Sequence, residues 1–130
     1  MNCFDTTFVI DYLSGDEATA EYLEEHSNEA FYVPAVVLHE GIEGTVKSAG
    51  SADIQEFIAQ LGWAEVAPFG RTTAVKAGRV QKELAEHGAQ LKPVDAMIAG
   101  TASELGATLV TRDSDMTRKA VRQVLDVREY

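Results

Sequence analysis

Pro93-Val94-Asp95-Ala96-Met97-Ile98-Ala99-Gly100-Thr101-Ala102, running on through Leu105-Gly106-Ala107-Thr108-Leu109-Val110-Thr111-Arg112-Asp113, decides the fold. It reads as a helix, a tight turn, a buried strand, and an acid where the strand ends. Pro93 suits the first turn of a helix, where a missing N–H leaves no bond unmade, and Asp95 falls near the positive N-terminus. Ile98, Ala102 and Leu105 recur at helical spacing. Gly106 stops the helix and lets the chain turn. Thr108-Leu109-Val110-Thr111 is short, β-branched and apolar, as expected of a strand covered on both faces. The segment presents two carboxylates, Asp95 and Asp113, at the openings of two successive elements.

Working outward, the same alternation recurs. Residues 2–4 read as a first strand with Asp5 at its carboxyl end, followed by a helix over Phe8 to Leu13. Asp16 is placed to cap a helix from Glu17 to about Glu25, with Ala20, Tyr22 and Leu23 toward the core. Ala30 to Val33 is the second strand, closed by Pro34. Ala35 to about Lys47 is a helix carrying Val36, Val37, Glu40 and Ile42. It also holds Gly41 and Gly44, each costing about 1 kcal/mol relative to Ala, so close approach of another backbone is expected there, at Gly44 above all. Asp53 to Leu61 is an amphipathic helix with Ile54, Phe57, Ile58 and Leu61 on one stripe. Trp63 to Ala67 is the third strand. Residues 72–87 form a helix with Ala74, Ala77, Val80 and Leu84 inward. Beyond Asp113, Ser114 to Arg122 reads as a short basic helix and Val124 to Val127 as a last strand. Strands alternating with helices imply an α/β domain, a parallel sheet covered on both faces by right-handed crossovers. In such sheets the site lies outside the carboxyl ends of the strands.

The length, 130 residues with 45% hydrophobic and 25% charged side chains, fits one domain over 1–130 with one core. No apolar run approaches a membrane span, and the N-terminus carries no signal-like pattern, so a cytoplasmic location is expected. Cys3 is the only cysteine, which excludes an intramolecular disulfide; it reads as a small buried hydrophobe. Net charge is −10 and all of it lies in the first third, where residues 1–46 contain ten acids and no Lys or Arg. That acidity suits either a solvated surface in a high-salt cytoplasm or a docking face for a basic partner.

Four acids meet at one end of this sheet: Asp5 after strand one, Asp113 after strand four, Asp95 opening the helix between, and Glu40 about a turn into the helix after strand two. Singly, Asp5, Asp95 and Asp113 read equally as helix caps. Glu40 does not, sitting among apolar residues with no basic side chain at helical spacing. Clustered carboxylates repel one another; hard divalent ions such as Mg²⁺ or Mn²⁺ reverse that cost through oxygen ligands. HExxH and paired CxxC motifs are absent, which argues against zinc. Asp115 is a candidate accessory ligand. Arg112, Arg118, Lys119 and Arg122 form either an RNA-phosphate patch or a solvated helix, with Arg118 and Arg122 on one helix face.

Four stretches together resemble the acidic motifs of PIN-domain nucleases, most closely the VapC-type ribonuclease toxins. They are Asp5-Thr6-Thr7-Phe8-Val9-Ile10-Asp11-Tyr12-Leu13, Glu40 with Gly44, Asp95-Ala96-Met97-Ile98-Ala99, and Leu109-Val110-Thr111-Arg112-Asp113. The resemblance covers nearly the whole chain. It implies a three-layer α/β/α fold with a parallel sheet of four to five strands ordered 3-2-1-4-5, and Mg²⁺- or Mn²⁺-dependent cleavage of RNA. It further implies a homodimer and a VapB-type antitoxin as partner. Carried over, Asp5, Glu40, Asp95 and Asp113 are the catalytic metal-site acids, with Thr6 and Thr111 as supporting hydroxyls. The departures are Thr7, where Ser or Asn is common, and Met116, where an aromatic often follows the fourth acid; neither removes a ligand.

Two readings stand beside this one. A non-catalytic interaction module on the same scaffold would be expected to have lost acids, and all four are present. A receiver-type phosphoacceptor domain would want a lysine near the end of strand four, where Thr111-Arg112-Asp113 has none.

Overall fold

The computed structural model describes residues 1–49 and 53–130. The chain runs β1 (Asn2–Phe4), α1 (Thr6–Leu13), α2 (Glu17–Glu25), β2 (Phe31–Pro34), α3 (Ala35–Ala49), α4 (Ile54–Gln60) and β3 (Glu65–Ala67). It continues with α5 (Arg71–Ala85), α6 (Pro93–Leu105), β4 (Thr108–Val110), α7 (Lys119–Val124) and β5 (Val127–Arg128). The strands form one sheet in the order β3-β2-β1-β4-β5, and every pairing is parallel. The α/β architecture and the 3-2-1-4-5 order are therefore as expected.

Alternation along the short central strands explains the layers. Cys3 and Leu109 are register partners, as are Phe4 and Val110. Cys3 and Leu109 join the larger core cluster, which includes Val37, Phe57, Val80, Leu84, Ile98 and Val121. Phe4 and Val110 point the other way into a cluster with Phe8 and Tyr22, as the period of two in a strand requires. One face is thus packed by α3 to α7 together with Val9 of α1, and the other by Phe8 of α1 and Tyr22 of α2. The second face is aromatic: Trp63 stands 5.4 Å from Phe4 and 5.2 Å from Tyr12 between ring centroids. Its indole nitrogen is buried with no hydrogen-bond partner among the described residues.

Local chemistry fixes the ends. Asp5 caps α1 by accepting the Phe8 N–H, which starts the helix two residues earlier than the apolar pattern suggests. Gly106 ends α6 in the left-handed conformation, φ 64°, where a Cβ would be strained. The Gln81 amide pairs with both main-chain groups of Leu91, donating to its carbonyl at 2.6 Å and accepting its N–H at 2.8 Å. That anchors the segment leading into α6.

Several expectations are corrected. Ala20 and Ala74 are exposed, and Thr73 takes the inward place on α5, its hydroxyl accepting the Gly70 N–H and donating to Glu104. Ile54 and Ile58 are also exposed, so α4 buries only Phe57. Residues 114–118 are not helical. The Asp113 carbonyl and carboxylate close a turn on Asp115, Met116 and Thr117, and Met116 is drawn into the core, so α7 begins only at Lys119. The last strand is displaced accordingly to Val127–Arg128. His26 is half-buried and stacks on Tyr22 with centroids 4.0 Å apart.

The close approach expected at Gly44 lies elsewhere. Among the described residues nothing would come within 4 Å of a Cβ at Gly44, whereas one at Gly41 would strike the Phe57 ring and one at Gly100 would lie 2.7 Å from the Ala77 main chain. The helices that meet backbone to backbone are α5 and α6. Gly100→Ala is expected to destabilise by about 1–3 kcal/mol, the range for overpacking. Gly44→Ala should stabilise by up to about 1 kcal/mol from helix propensity alone. Urea unfolding midpoints of the two variants check both signs.

Candidate active site

The carboxyl ends of β1, β2 and β4 open into the acids. Asp5 is 3% exposed and held on both oxygens. Its Oδ1 accepts from the Thr7 hydroxyl at 2.7 Å and the Phe8 N–H at 3.1 Å, and its Oδ2 accepts from the Thr111 hydroxyl. Burial pushes its carboxyl above the usual range; the hydrogen bonds from Thr111, Thr7 and Phe8 oppose that, and Asp113 adds to it. The Thr111 oxygen also accepts the Asp113 N–H at 3.0 Å, so one hydroxyl ties the first acid to the loop of the fourth.

Glu40 reaches the site from α3, which follows β2 without a break. It accepts from Thr6 Oγ1 at 2.5 Å, linking it to the residue after Asp5. It stands between two concave surfaces. One is lined by Ile10, Leu13, Gly41 and Phe57, the other by Val36, Glu43, Val94 and Met97. Asp95 lies in the first turn of α6, where the helix dipole favours an anion. Even so its carboxyl is pushed up to about 6, first by burial and then by Asp113, Glu40 and Asp115, with Lys92 pulling the other way. Asp113 and Glu40 thus act on Asp95, and Asp113 on Asp5, through charge.

Lys92, which precedes the N1 proline and opposes the acids on Asp95, escaped the sequence reading; the only signal was its place three residues before Asp95. Of the other residues singled out, Asp115 donates its N–H to Asp113 Oδ1 at 2.8 Å and is exposed. Arg112 is held by Asp16 at 2.9 Å and Asp11 at 3.4 Å. Arg118 caps α7 from outside rather than sharing a helical face with Arg122, and it donates to the Ala89 and Asp115 carbonyls. Arg122 donates to Thr117 and Val127 carbonyls and pairs with Glu129. Lys119 is exposed.

The donor set consists of carboxylate oxygens backed by hydroxyls, while the imidazole of His39 beside Glu40 lies 4.0 Å from Glu43, and such an oxygen set suits a hard divalent ion such as Mg²⁺ or Mn²⁺. Among the described residues no three acids, histidines or cysteines already stand close enough to close on one ion. An ion that keeps several of its waters, as Mg²⁺ does, needs no such closed cage. The repulsion recorded at Asp95 is what a cation would relieve.

A parallel sheet of this order, with Asp5 following β1 and Asp113 following β4, defines a PIN-like fold. The chain belongs to the PIN domain family, which matches residues 3–122. Among its relatives is the tRNA(fMet)-specific endonuclease VapC of Salmonella typhimurium, 33% identical over 85 residues. That match spans 62% of this chain and 62% of the relative, less than two thirds of its length. Solved structures share the fold. VapBC2 from Rickettsia felis bound to a DNA fragment from its promoter matches with a TM-score of 0.79 and 20% identity over 99% of this chain and 98% of that chain. DNA-bound VapBC from Salmonella typhimurium gives 0.77 and 23% over 98% and 96%. A toxin–antitoxin complex from Klebsiella pneumoniae gives 0.74 and 22% over 92% of each.

The raised Asp95 carboxyl has a consequence for stability. In the unfolded chain it titrates near about 3.9, and in the fold at about 6. Between those values the folded protein binds more protons, so its stability falls as pH rises through that window. In the presence of EDTA, Asp95→Asn is expected to raise the unfolding temperature at about pH 7. It should change it little near about pH 4, where the native carboxyl is already protonated. Thermal scans of both proteins across this range test the sign.

Proposed function

We propose that this PIN domain is a Mg²⁺- or Mn²⁺-dependent endoribonuclease. In this reading it acts in the cytoplasm as a homodimer and is the toxin of a type II toxin–antitoxin pair. The observation that supports the reading is the placement of Asp5 after β1, Asp95 in the first turn of α6 and Asp113 after β4, with Thr111 tying Asp5 to the Asp113 loop and Thr6 tying Glu40 to the residue after Asp5. Kinship with VapC and a shared fold with toxin–antitoxin complexes support the substrate class and a VapB-type antitoxin partner.

The four acids would hold the metal, which when bound supplies Lewis acidity toward the phosphate and lowers the pKa of water for attack. The chain's own work is positional. Thr7, Phe8 and Thr111 hold both oxygens of Asp5, and Thr6 holds one oxygen of Glu40. Lys92 is placed to meet the phosphate charge that accumulates at the site. No side chain is required as nucleophile: the thiol of Cys3 is fully buried and pushed to about 12. RNA would approach over residues 112–122. Arg118 and Arg122 are braced there by main-chain carbonyls beside exposed Lys119, whereas Arg112 gives its charge largely to Asp11 and Asp16. The groove of Ile10, Leu13 and Phe57 beside Glu40 offers the antitoxin an apolar seat.

Purified protein is expected to cleave RNA with Mg²⁺ or Mn²⁺ and to stop when EDTA is added. Asp5→Asn, Glu40→Gln, Asp95→Asn and Asp113→Asn should each lower the rate by more than the roughly 10–100-fold typical of losing an outer partner of a metal ligand. Undiminished cleavage by Asp95→Asn would sink the assignment. Reversing charge at Arg118 and Arg122 together should weaken RNA binding and flatten its salt dependence by up to about one log unit per lost phosphate contact.

A further inference from the structure

Asp5 and Asp113 repel one another, yet they are held together where α1 begins and β4 ends. Two direct links do this at the site: the Asp5 N–H donates to the Val110 carbonyl at 3.3 Å, and Thr111 donates to Asp5. A third runs through Thr7. Its hydroxyl has one proton and two lone pairs. The proton goes to Asp5 Oδ1 at 2.7 Å. The lone pairs face the Arg112 N–H at 3.3 Å and the Tyr130 phenol at 3.4 Å.

Tyr130 is itself fixed from several sides. Its single phenolic proton is shared between Asp11 Oδ2 at 2.7 Å, one turn further along α1, and Thr7 Oγ1 at 3.4 Å. Its ring stands edge-on to Phe8, centroids 4.8 Å apart. The Arg112 guanidinium lies 4.3 Å above the same ring. It donates to the Tyr130 main-chain oxygen at 3.2 and 3.4 Å and to Asp16 at 2.9 Å. The arginine next to Asp113 thus grips the helix that Asp5 caps, with Tyr130 between them.

We propose that Tyr130, together with Arg112, is a positioning residue for Asp5, acting through the Thr7 hydroxyl. The inference rests on the reading of Asp5 as a metal ligand. Exposed ion pairs contribute little to stability, so the clamp's effect falls on the orientation of the carboxylate. Loss of an outer hydrogen-bond partner typically weakens metal binding about 10–100-fold. A contact one step further out belongs at the lower end of that range.

The test measures Mn²⁺ binding by calorimetry on the full chain, without RNA. Tyr130→Phe keeps the ring against Phe8 and removes only the hydroxyl. It is expected to weaken Mn²⁺ binding about 10-fold with little change in unfolding temperature. Thr7→Val should weaken it at least as much. The double variant should match Thr7→Val alone, because the two changes break one path. Unchanged affinity in Tyr130→Phe, or losses that multiply in the double variant, would overturn the proposal. Should Tyr130→Phe fail to fold, Arg112→Gln enters the same cycle with the same expectations. Should the native protein bind no Mn²⁺, the metal-site reading itself has failed. The ¹³C carboxyl resonance of Asp5 in metal-free protein then decides: it should move in both Tyr130→Phe and Thr7→Val, and a resonance unmoved by Tyr130→Phe overturns the positioning role.

Discussion

Repulsion among carboxylates at one end of the sheet is the constraint on which the rest of the molecule turns. Carboxylates gathered in partly buried space oppose folding, and burial raises the free energy of ionised Asp5 and Asp95 further. The fold tolerates them because helices begin there. Asp5 caps α1 and Asp95 sits in the first turn of α6, so unpaired N–H groups and helix dipoles face the charge. Threonine hydroxyls at positions 6, 7 and 111 supply the remaining donors. A parallel sheet makes this arrangement available, since each strand's carboxyl end is followed by a new helix at the same edge.

The apolar parts of the chain hold that edge in register. The Phe4, Phe8, Tyr22 and Val110 cluster lies directly beneath Asp5 and Thr111, and the residue preceding each, Phe4 and Val110, is fully buried. On the other face, the α5–α6 contact brings Gly100 against the Ala77 main chain, which fixes the height at which Asp95 enters the site. A side chain on Gly100 would lift α6 from α5 and move the carboxylate with it. In this sense the packing of a small residue five positions from Asp95 is part of the site's geometry.

Much of this was legible in the sequence, and the physical reason is that it is local. A cap, a C-terminal glycine, a β-branched run and an acid at a strand end all declare themselves within a few residues, which is why Asp5, Glu40, Asp95 and Asp113 could be picked out. The order of the strands was not local and came from resemblance to a family. What escaped depends on distant partners. Gly44 and Gly100 look alike in sequence, and only the neighbouring helix distinguishes open space from a backbone. Arg112 read as either an RNA-phosphate contact or a solvated side chain because its partners Asp11, Asp16 and Tyr130 lie far away along the chain. The 114–118 segment has helical composition, but the buried Met116 and the Asp113 turn outweigh propensity, as tertiary contacts commonly do.

The pairing of the Gln81 amide with Leu91 has a kinetic consequence. The segment before α6 has no strand or helix to protect its main chain, yet the Leu91 N–H is bonded as it would be in a sheet. Its exchange with solvent deuterium should therefore be slow and should follow the opening of α5, which carries Gln81, instead of the fast local motions common to loops. A single side chain thus makes one loop amide a reporter on the helix beside it.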